Sequence, residues 1–316
     1  MTLADLPPSL LRVCALLFGL VWGSFLNVVI HRVPRGMSVV RPPSHCPECG
    51  TPIRAHQNLP LLSWLLLRGR ARCCGVKISA RYPLVEAIAG VLSLAILEVL
   101  VLPLHPSTDA VYALVLFIAH FALVLGLTAA AFIDLEFMIV PDSISLGGTV
   151  LGLATFSVRN MDLADVLAGA ALGFVMVWLP FVWGYAKLRG APGMGLGDAK
   201  LVMLAGAWFG ISGTVIVLGA AAVQGALVAL VLGIVRGRID EPEAVVRERE
   251  ELEQELARLP PEERQEVERE MLNDPLATAP QPGLGKARIA FGPFLILATL
   301  ELLLLGRARV VDWLLL

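Results

Sequence analysis

Two short segments hold the side chains best placed to do chemistry. One runs Ala131-Phe132-Ile133-Asp134-Leu135-Glu136 and on to Val140-Pro141-Asp142; the other is Gly193-Met194-Gly195-Leu196-Gly197-Asp198-Ala199-Lys200. Both lie where a long apolar run meets a hydrophilic segment, and an acid held at a membrane edge is costly enough to mark function by default. Asp134 and Asp198 are the candidate catalytic pair. Two neighbouring carboxylates cannot both ionise easily, so they share a proton. The ionised one draws a proton from water while the protonated one polarises a peptide carbonyl, and a low dielectric strengthens their coupling. The glycines around Asp198 allow a close backbone approach. The alternative use of two such acids is an ion or proton site in a transporter. The nearby polar residues read as structural: Asp142 as a helix N-cap after Pro141, Glu136 as solvated, Lys200 as an anchor of a helix end. Glu98 and Glu301 lie toward the outer ends of apolar runs, within reach of the interface.

The elements that must position these acids are transmembrane helices. The chain has 316 residues, 57% of them hydrophobic and 16% charged, with a mean hydropathy of +0.75. Soluble chains are about 45–50% apolar and about 25% charged, so an ordinary soluble domain is excluded. Apolar stretches suited to crossing a bilayer, which takes about 20 residues per helix, fall at roughly 9–30, 83–104, 111–132, 143–158, 164–186, 199–211, 214–235 and 289–306. Seven spans is the competing count, because only Ile211-Ser212-Gly213 separates the sixth from the seventh. No Lys or Arg precedes Arg12 and a basic segment follows the first span, which is unlike a cleavable signal.

Charge sets the expected orientation. Under eight spans, 21 of the 25 Lys and Arg fall on one side, nine of them in segment 31–82, leaving Arg12, Arg159, Arg307 and Arg309 for the other. The positive-inside rule makes the rich side cytoplasmic, so both termini face outward and Asp134 and Asp198 share the cytoplasmic face. The formal net charge of −2 conceals this basic surface. Residues 240–274 hold 14 of the 27 acids and five arginines, and the rest of the chain carries +7. In that acidic insert Val245, Leu252 and Leu259 recur every seven residues beside Leu256, so a helix is expected over about 243–258. Pro260-Pro261 ends it, a second helix is expected from Glu262-Glu263 to near Leu272, and 278–285 reads as a linker. A charged segment of this kind is a solvated hairpin or a docking surface. The expected architecture is all-α and polytopic. It comprises a first transmembrane helix (1–30), a basic Cys-containing cytoplasmic loop (31–82), a transmembrane catalytic core (83–235), an acidic insert with its linker (236–288), and a last helix with its tail (289–316). Four of the five cysteines crowd into 46–74, which is not an extracellular disulfide pattern; Cys14, in the first span, reads as a packing residue.

The residues also carry a family resemblance. Gly23-Ser24-Phe25-Leu26-Asn27 to Arg32-Val33-Pro34, the segment from Cys46 through Asn58-Leu59-Pro60 and Ser63-Trp64-Leu65 to Ile78-Ser79-Ala80-Arg81-Tyr82-Pro83-Leu84-Val85-Glu86, the Ile133-Asp134 to Pro141-Asp142 block, Gly195 to Leu201, and Phe291-Gly292-Pro293-Phe294 occur in the family's order. In these the chain resembles the type IV prepilin peptidases, bifunctional leader peptidases and N-methyltransferases of pilus and type II secretion systems. The resemblance implies that Asp134 and Asp198 are the catalytic aspartates of a membrane aspartyl protease in the bacterial cytoplasmic (inner) membrane. Such an enzyme cuts the basic leader of prepilins or pseudopilins after a glycine at the cytoplasmic face. It then methylates the new amine with S-adenosylmethionine. Its expected partners are those substrates and the lipid bilayer, with no nucleic acid. No motif assigns the methyl-donor site; Arg81, Glu86 and the 31–82 loop are candidates, against plain anchoring roles.

One departure concerns the thiols. Many family members carry two Cys-x-x-Cys pairs in this loop, suited to structural zinc. Here Cys46-Pro47-Glu48-Cys49 is intact, but the second pair reads Ala71-Arg72-Cys73-Cys74, with Ala71 in the place of the first cysteine. Cys46, Cys49 and Cys74 with Cys73, or with His45, would complete a four-ligand zinc site. The alternative is a metal-free loop of reduced thiols.

Overall fold

The computed structural model describes residues 1–314 apart from 47, 55–56, 191, 237–241, 258–259, 261–263 and 265–288. Among the described residues it is all-helical, with isolated β-bridges and no strand. Among the described residues, five helices are long and apolar enough to cross a membrane: Pro8–Arg32, Arg81–Val101, Ala110–Phe137, Leu163–Arg189 and Leu196–Val235. Each of the eight apolar stretches is helical over most of its length. The fourth forms a helix of 13 residues, Asp142–Ala154, about 20 Å long at 1.5 Å per residue. The last begins as the short apolar helix Gly292–Gly306. The chain divides into two compact units, Met1–Ala130 with Val158–Asn160, and Ala131–Ser157 with Met161–Leu316.

In the first unit, α1 (Pro8–Arg32) packs along α3 (Arg81–Ile96), which continues through a widened π turn to Val101. Small residues make the approach close, as in membrane bundles generally: a methyl group added at Gly23 would sit 2.8 Å from the Glu86 Cα. The Ser93 hydroxyl donates to the Ala15 carbonyl at 2.6 Å. Phe18 of α1 meets Phe121 of α4 (Ala110–Phe137) with ring centroids 4.9 Å apart. Glu98 does not simply reach the interface; it pairs with Arg12 at 2.5 Å, both side chains being largely exposed. The loop between α1 and α3 carries the short helix α2 (Leu62–Leu66) and the cysteines.

The second unit is built around α8 (Leu196–Arg236), against which α5 (Asp142–Ala154) and α6 (Leu163–Val177) pack; α7 (Tyr185–Arg189) precedes it. The soft boundary expected near Gly210 is a real break: Gly210 has φ 68° and ψ −167°, outside any helix. The amide of Ile211 restarts the helix by donating to Asp165 Oδ1 of α6 at 3.1 Å, so a neighbouring helix supplies the N-cap that local sequence lacks. Before the break, a side chain at Gly206 would overlap the Gly169 carbonyl, which is how α6 and α8 come so near. Trp208 fills the α5 side and donates its indole N–H to the Gly148 carbonyl at 2.9 Å. The acidic insert contributes α9 (Glu243–Leu256), with Val245 of the heptad stripe and the adjoining Leu256 buried. Its expected second helix and the 278–285 linker lie outside the described residues. The last helix is α10 (Gly292–Leu314), kinked at Gly306.

Candidate active site

Asp134 sits in the final turn of α4. The turn is closed by Met138, whose amide donates to the Asp134 carbonyl at 2.9 Å while its φ of 55° puts it in the left-handed region. A non-glycine residue there is strained, a feature that clusters at functional sites. The Asp134 side chain is buried at 4% exposure, and its Oδ2 has no hydrogen-bond partner. Buried polar atoms of that kind are few in native structures, and a catalytic role is one of the accepted reasons for them.

Asp198 lies in the first turn of α8, its amide donating to the Gly195 carbonyl at 3.2 Å. A methyl group at Gly197 would approach the Val140 Cβ to 2.9 Å, so the glycine lets the start of α8 lie flush against the segment that follows Asp134. The two aspartate-bearing helix ends, far apart in sequence, meet here: Gly197 lies against Val140, and Gly292 lies against both Asp134 and Leu201, one turn beyond Asp198. Lys200 and Asp142 form an ion pair at 2.5 Å that joins the starts of α8 and α5. Asp142, expected as the N-cap, is instead the first residue of α5, the cap position being Pro141; its carboxylate is committed to Lys200. Glu136 is half-buried and engaged rather than freely solvated.

Gly292 belongs to the Phe-Gly-Pro-Phe stretch that carries part of the family resemblance, and no residue type in it points to chemistry. It opens α10 directly against Asp134: a side-chain carbon at Gly292 would overlap Oδ2 and lie 3.1 Å from Cγ, with Leu201 Cδ1 at 3.4 Å. The rings of Phe291 and Phe294, 6.2 Å apart, hold this segment against Gly225 of α8.

In the first unit the thiols of Cys46, Cys49, Cys73 and Cys74 all lie within 4.8 Å of one another. Sulfur separations are 3.7 Å for Cys46–Cys74, 3.3 Å for Cys49–Cys73 and 3.9 Å for Cys73–Cys74. A tetrahedral zinc with Zn–S bonds of about 2.3 Å needs sulfurs about 3.8 Å apart, so the donor set fits. Two matching turns build it. The Gly50 amide donates to the Cys46 carbonyl at 2.9 Å and the Gly75 amide to the Ala71 carbonyl at 2.8 Å, with Gly50 and Gly75 both at positive φ. Ala71 is thus the structural counterpart of Cys46, and the thiol missing there is supplied by Cys73 two residues on. The Thr51 hydroxyl and amide pull the Cys49 thiol down to about 6. Hydrogen bonding to Cys49 pushes Cys73 up to about 12. His45 stays outside the group, with Nδ1 3.0 Å from the Pro43 carbonyl.

Comparison with known proteins finds relatives over most of the chain. Residues 17–99 match the bacterial peptidase A24 N-terminal domain, and residues 121–230 match the type IV leader peptidase family. A prepilin leader peptidase/N-methyltransferase of Myxococcus xanthus is 38% identical, the alignment covering 97% of this chain and 94% of that protein. Proteins of the same description from Aeromonas hydrophila (38% identical, 70% of this chain, 80% of the relative) and Neisseria gonorrhoeae (36%, 75% and 87%) are also similar. No solved structure matches.

Proposed function

The chain belongs to the type IV leader peptidase family, and from that premise we propose that Asp134 and Asp198 are the acid–base pair with which it removes the leader of prepilins or pseudopilins. The observation that carries this reading is the meeting of the Asp134 end of α4 with the Asp198 end of α8, through Gly197 against Val140 and Gly292 against Asp134 and Leu201, with Asp134 Oδ2 buried and outside any hydrogen bond. With one proton between them, the ionised carboxylate takes a proton from water as it attacks the scissile carbonyl. The protonated carboxyl gives its proton to the carbonyl oxygen as the tetrahedral intermediate forms; on collapse that hydroxyl returns the proton to it, and the other carboxyl passes the proton taken from water to the leaving amine. The Lys200–Asp142 pair and the Gly197–Val140 contact keep the α4–α5 junction and the start of α8 in register, which such proton transfers require.

The enzyme then methylates the exposed amine, and S-adenosylmethionine supplies the methyl group when bound. The Cys46, Cys49, Cys73 and Cys74 thiols would hold a structural zinc that ties the two turns of the loop together. Charge supports eight spans with both termini outside and the dyad at the cytoplasmic face of the bacterial inner membrane. There the basic loop 31–82 faces anionic lipid, and a substrate's apolar helix can stay in the bilayer with its leader beside the aspartates. The transporter reading has nothing in its favour beyond the two acids themselves.

The test is cleavage of a prepilin peptide by purified protein in lipid, comparing wild type with Asp134→Asn and Asp198→Asn. Both variants should be inactive yet folded and still able to methylate a pre-cut peptide. Cleavage surviving in either would overturn the assignment.

A further inference from the structure

The first unit contains a second set of buried polar groups that leader cleavage does not use. Along the α1–α3 seam, Glu86 is 8% exposed and Asn27 is 3% exposed. The Asn27 amide donates through Nδ2 to the Tyr82 carbonyl at 3.1 Å and, at the edge of range, to the Gly23 carbonyl at 3.4 Å. Its Oδ1 is buried and has no partner. One helical turn away, Glu86 lies against Gly23; the Ser24 hydroxyl engages its carboxylate, and Oε2 accepts the Leu61 amide at 2.7 Å. Leu61 is held at φ 60° and ψ −48°, a strained conformation for a residue with a side chain and one that surrounding structure must enforce. The turn leading to it is open, since Asn58 and Leu59 are exposed, while Ser24, Leu61 and Tyr82 are half-buried. Partly exposed side chains therefore flank the acid on its loop side.

A carboxylate and an unused amide oxygen, acceptors only and sheltered from water, suit an organic cation that carries N–H donors or a positive sulfur. Methylation brings two such cations to the protein: the new N-terminal ammonium of the cut substrate and the sulfonium of the methyl donor. We propose that Asn27, Glu86 and the Leu61 turn form the methyl-transfer site and receive this cation, a reading that rests on the N-methyltransferase activity but not on the aspartate dyad. In the reaction the amine lone pair forms the N–CH3 bond as the S–CH3 bond breaks with its pair left on sulfur. The proton shed by the ammonium passes to the Glu86 carboxylate and from there to water.

The decisive variant is Glu86→Gln, which keeps an acceptor for the Leu61 amide and the same volume while removing the charge; Asn27→Ala removes the unpaired oxygen. Methyl transfer to a pre-cut peptide should fall by about 100-fold or more in Glu86→Gln, the scale of a lost proton-transfer group, with cleavage of the uncut peptide and the melting temperature unchanged. Equilibrium dialysis separates the two sources. Weaker binding of S-adenosylmethionine with binding of S-adenosylhomocysteine, which lacks the sulfonium charge, retained places the donor's cation at Glu86. Unchanged donor binding with a raised KM for the pre-cut peptide places the acceptor's ammonium there. Methylation within about twofold of wild type in both variants, or cleavage and methylation lost together with a lowered melting temperature, overturns the proposal. Asp134→Asn run in parallel keeps a failure here distinct from a failure of the dyad, since it abolishes cleavage alone.

Discussion

The contact between Gly292 and Asp134 makes a quantitative prediction for the single change Gly292→Ala. The added methyl would overlap Asp134 Oδ2 and stand 3.1 Å from Cγ, so one partner must give way. The backbone at Gly292 is poorly placed to do so. Phe291 and Phe294 pack on each other and on Gly225, and further along α10 the Gln224 amide donates to Glu301 at 2.6 Å. Asp134 is the softer side, and it must turn about χ1 or χ2. A rotation of about 30° off its rotamer costs only about 0.5–1.5 kcal/mol, so the fold survives. The carboxylate, however, moves by about 1 Å, and a misplacement of that size typically costs about 10²-fold in rate, equivalent to about 2.7 kcal/mol of barrier. Gly292→Ala should therefore lower kcat for leader cleavage by about two orders of magnitude, with little change in KM or melting temperature. Methylation of a pre-cut peptide should be untouched. The assay is steady-state cleavage of a prepilin peptide in lipid, with Asp134→Asn as the inactive reference. A kcat within about threefold of wild type, while Asp134→Asn is dead, would refute the positioning role without touching the dyad.

Other consequences follow from neighbouring contacts. Gly206→Ala would drive its methyl into the Gly169 carbonyl and should destabilise the second unit by about 3 kcal/mol, the upper range for overpacking; chemical denaturation in detergent measures it, and a loss below about 1 kcal/mol contradicts the packing. Lys200→Met removes the ion pair to Asp142, whose side chain is 60% exposed; screened pairs of this kind contribute about 0.2–1 kcal/mol, so a small drop in melting temperature is expected, and a drop equal to that of Gly206→Ala would show that Lys200 does more. Purified protein should carry about one equivalent of zinc, and Cys46→Ser and Cys73→Ser should each lose it, leaving less than about half an equivalent. The double change Ala71→Cys with Cys73→Ala should restore binding, because Ala71 occupies the place equivalent to Cys46; metal analysis decides, and full occupancy in Cys73→Ser would remove Cys73 from the ligand set.

Several features were readable from residue order because they depend on local composition. Apolar runs become helices in a bilayer because their backbone has no other way to satisfy its hydrogen bonds there, so the helical stretches could be placed before any contact was known. The seven-residue recurrence of Val245, Leu252 and Leu259, with Leu256 beside it, likewise points to α9, and the acids at Asp134 and Asp198 stand out because charge is rare beside such runs. Other features depend on a neighbour distant in sequence. The break at Gly210 is anchored by Asp165 of another helix, and Asp142 is taken by Lys200 rather than used as a cap. Nothing in Phe291-Gly292-Pro293-Phe294 reveals that the glycine faces a carboxylate. Ala71 looked like a lost ligand, and only the second turn showed that its geometry persists and that Cys73 brings a thiol back to the cluster.

Hydropathy and charge act residue by residue, so residue order suffices to specify a helical membrane protein with two conspicuous acids, a thiol-rich loop and an acidic insert. Which acid meets which backbone, which thiols converge and which buried oxygens stay unpaired follow from packing. Those are distances between segments that chain order does not specify, and the chemistry depends on them.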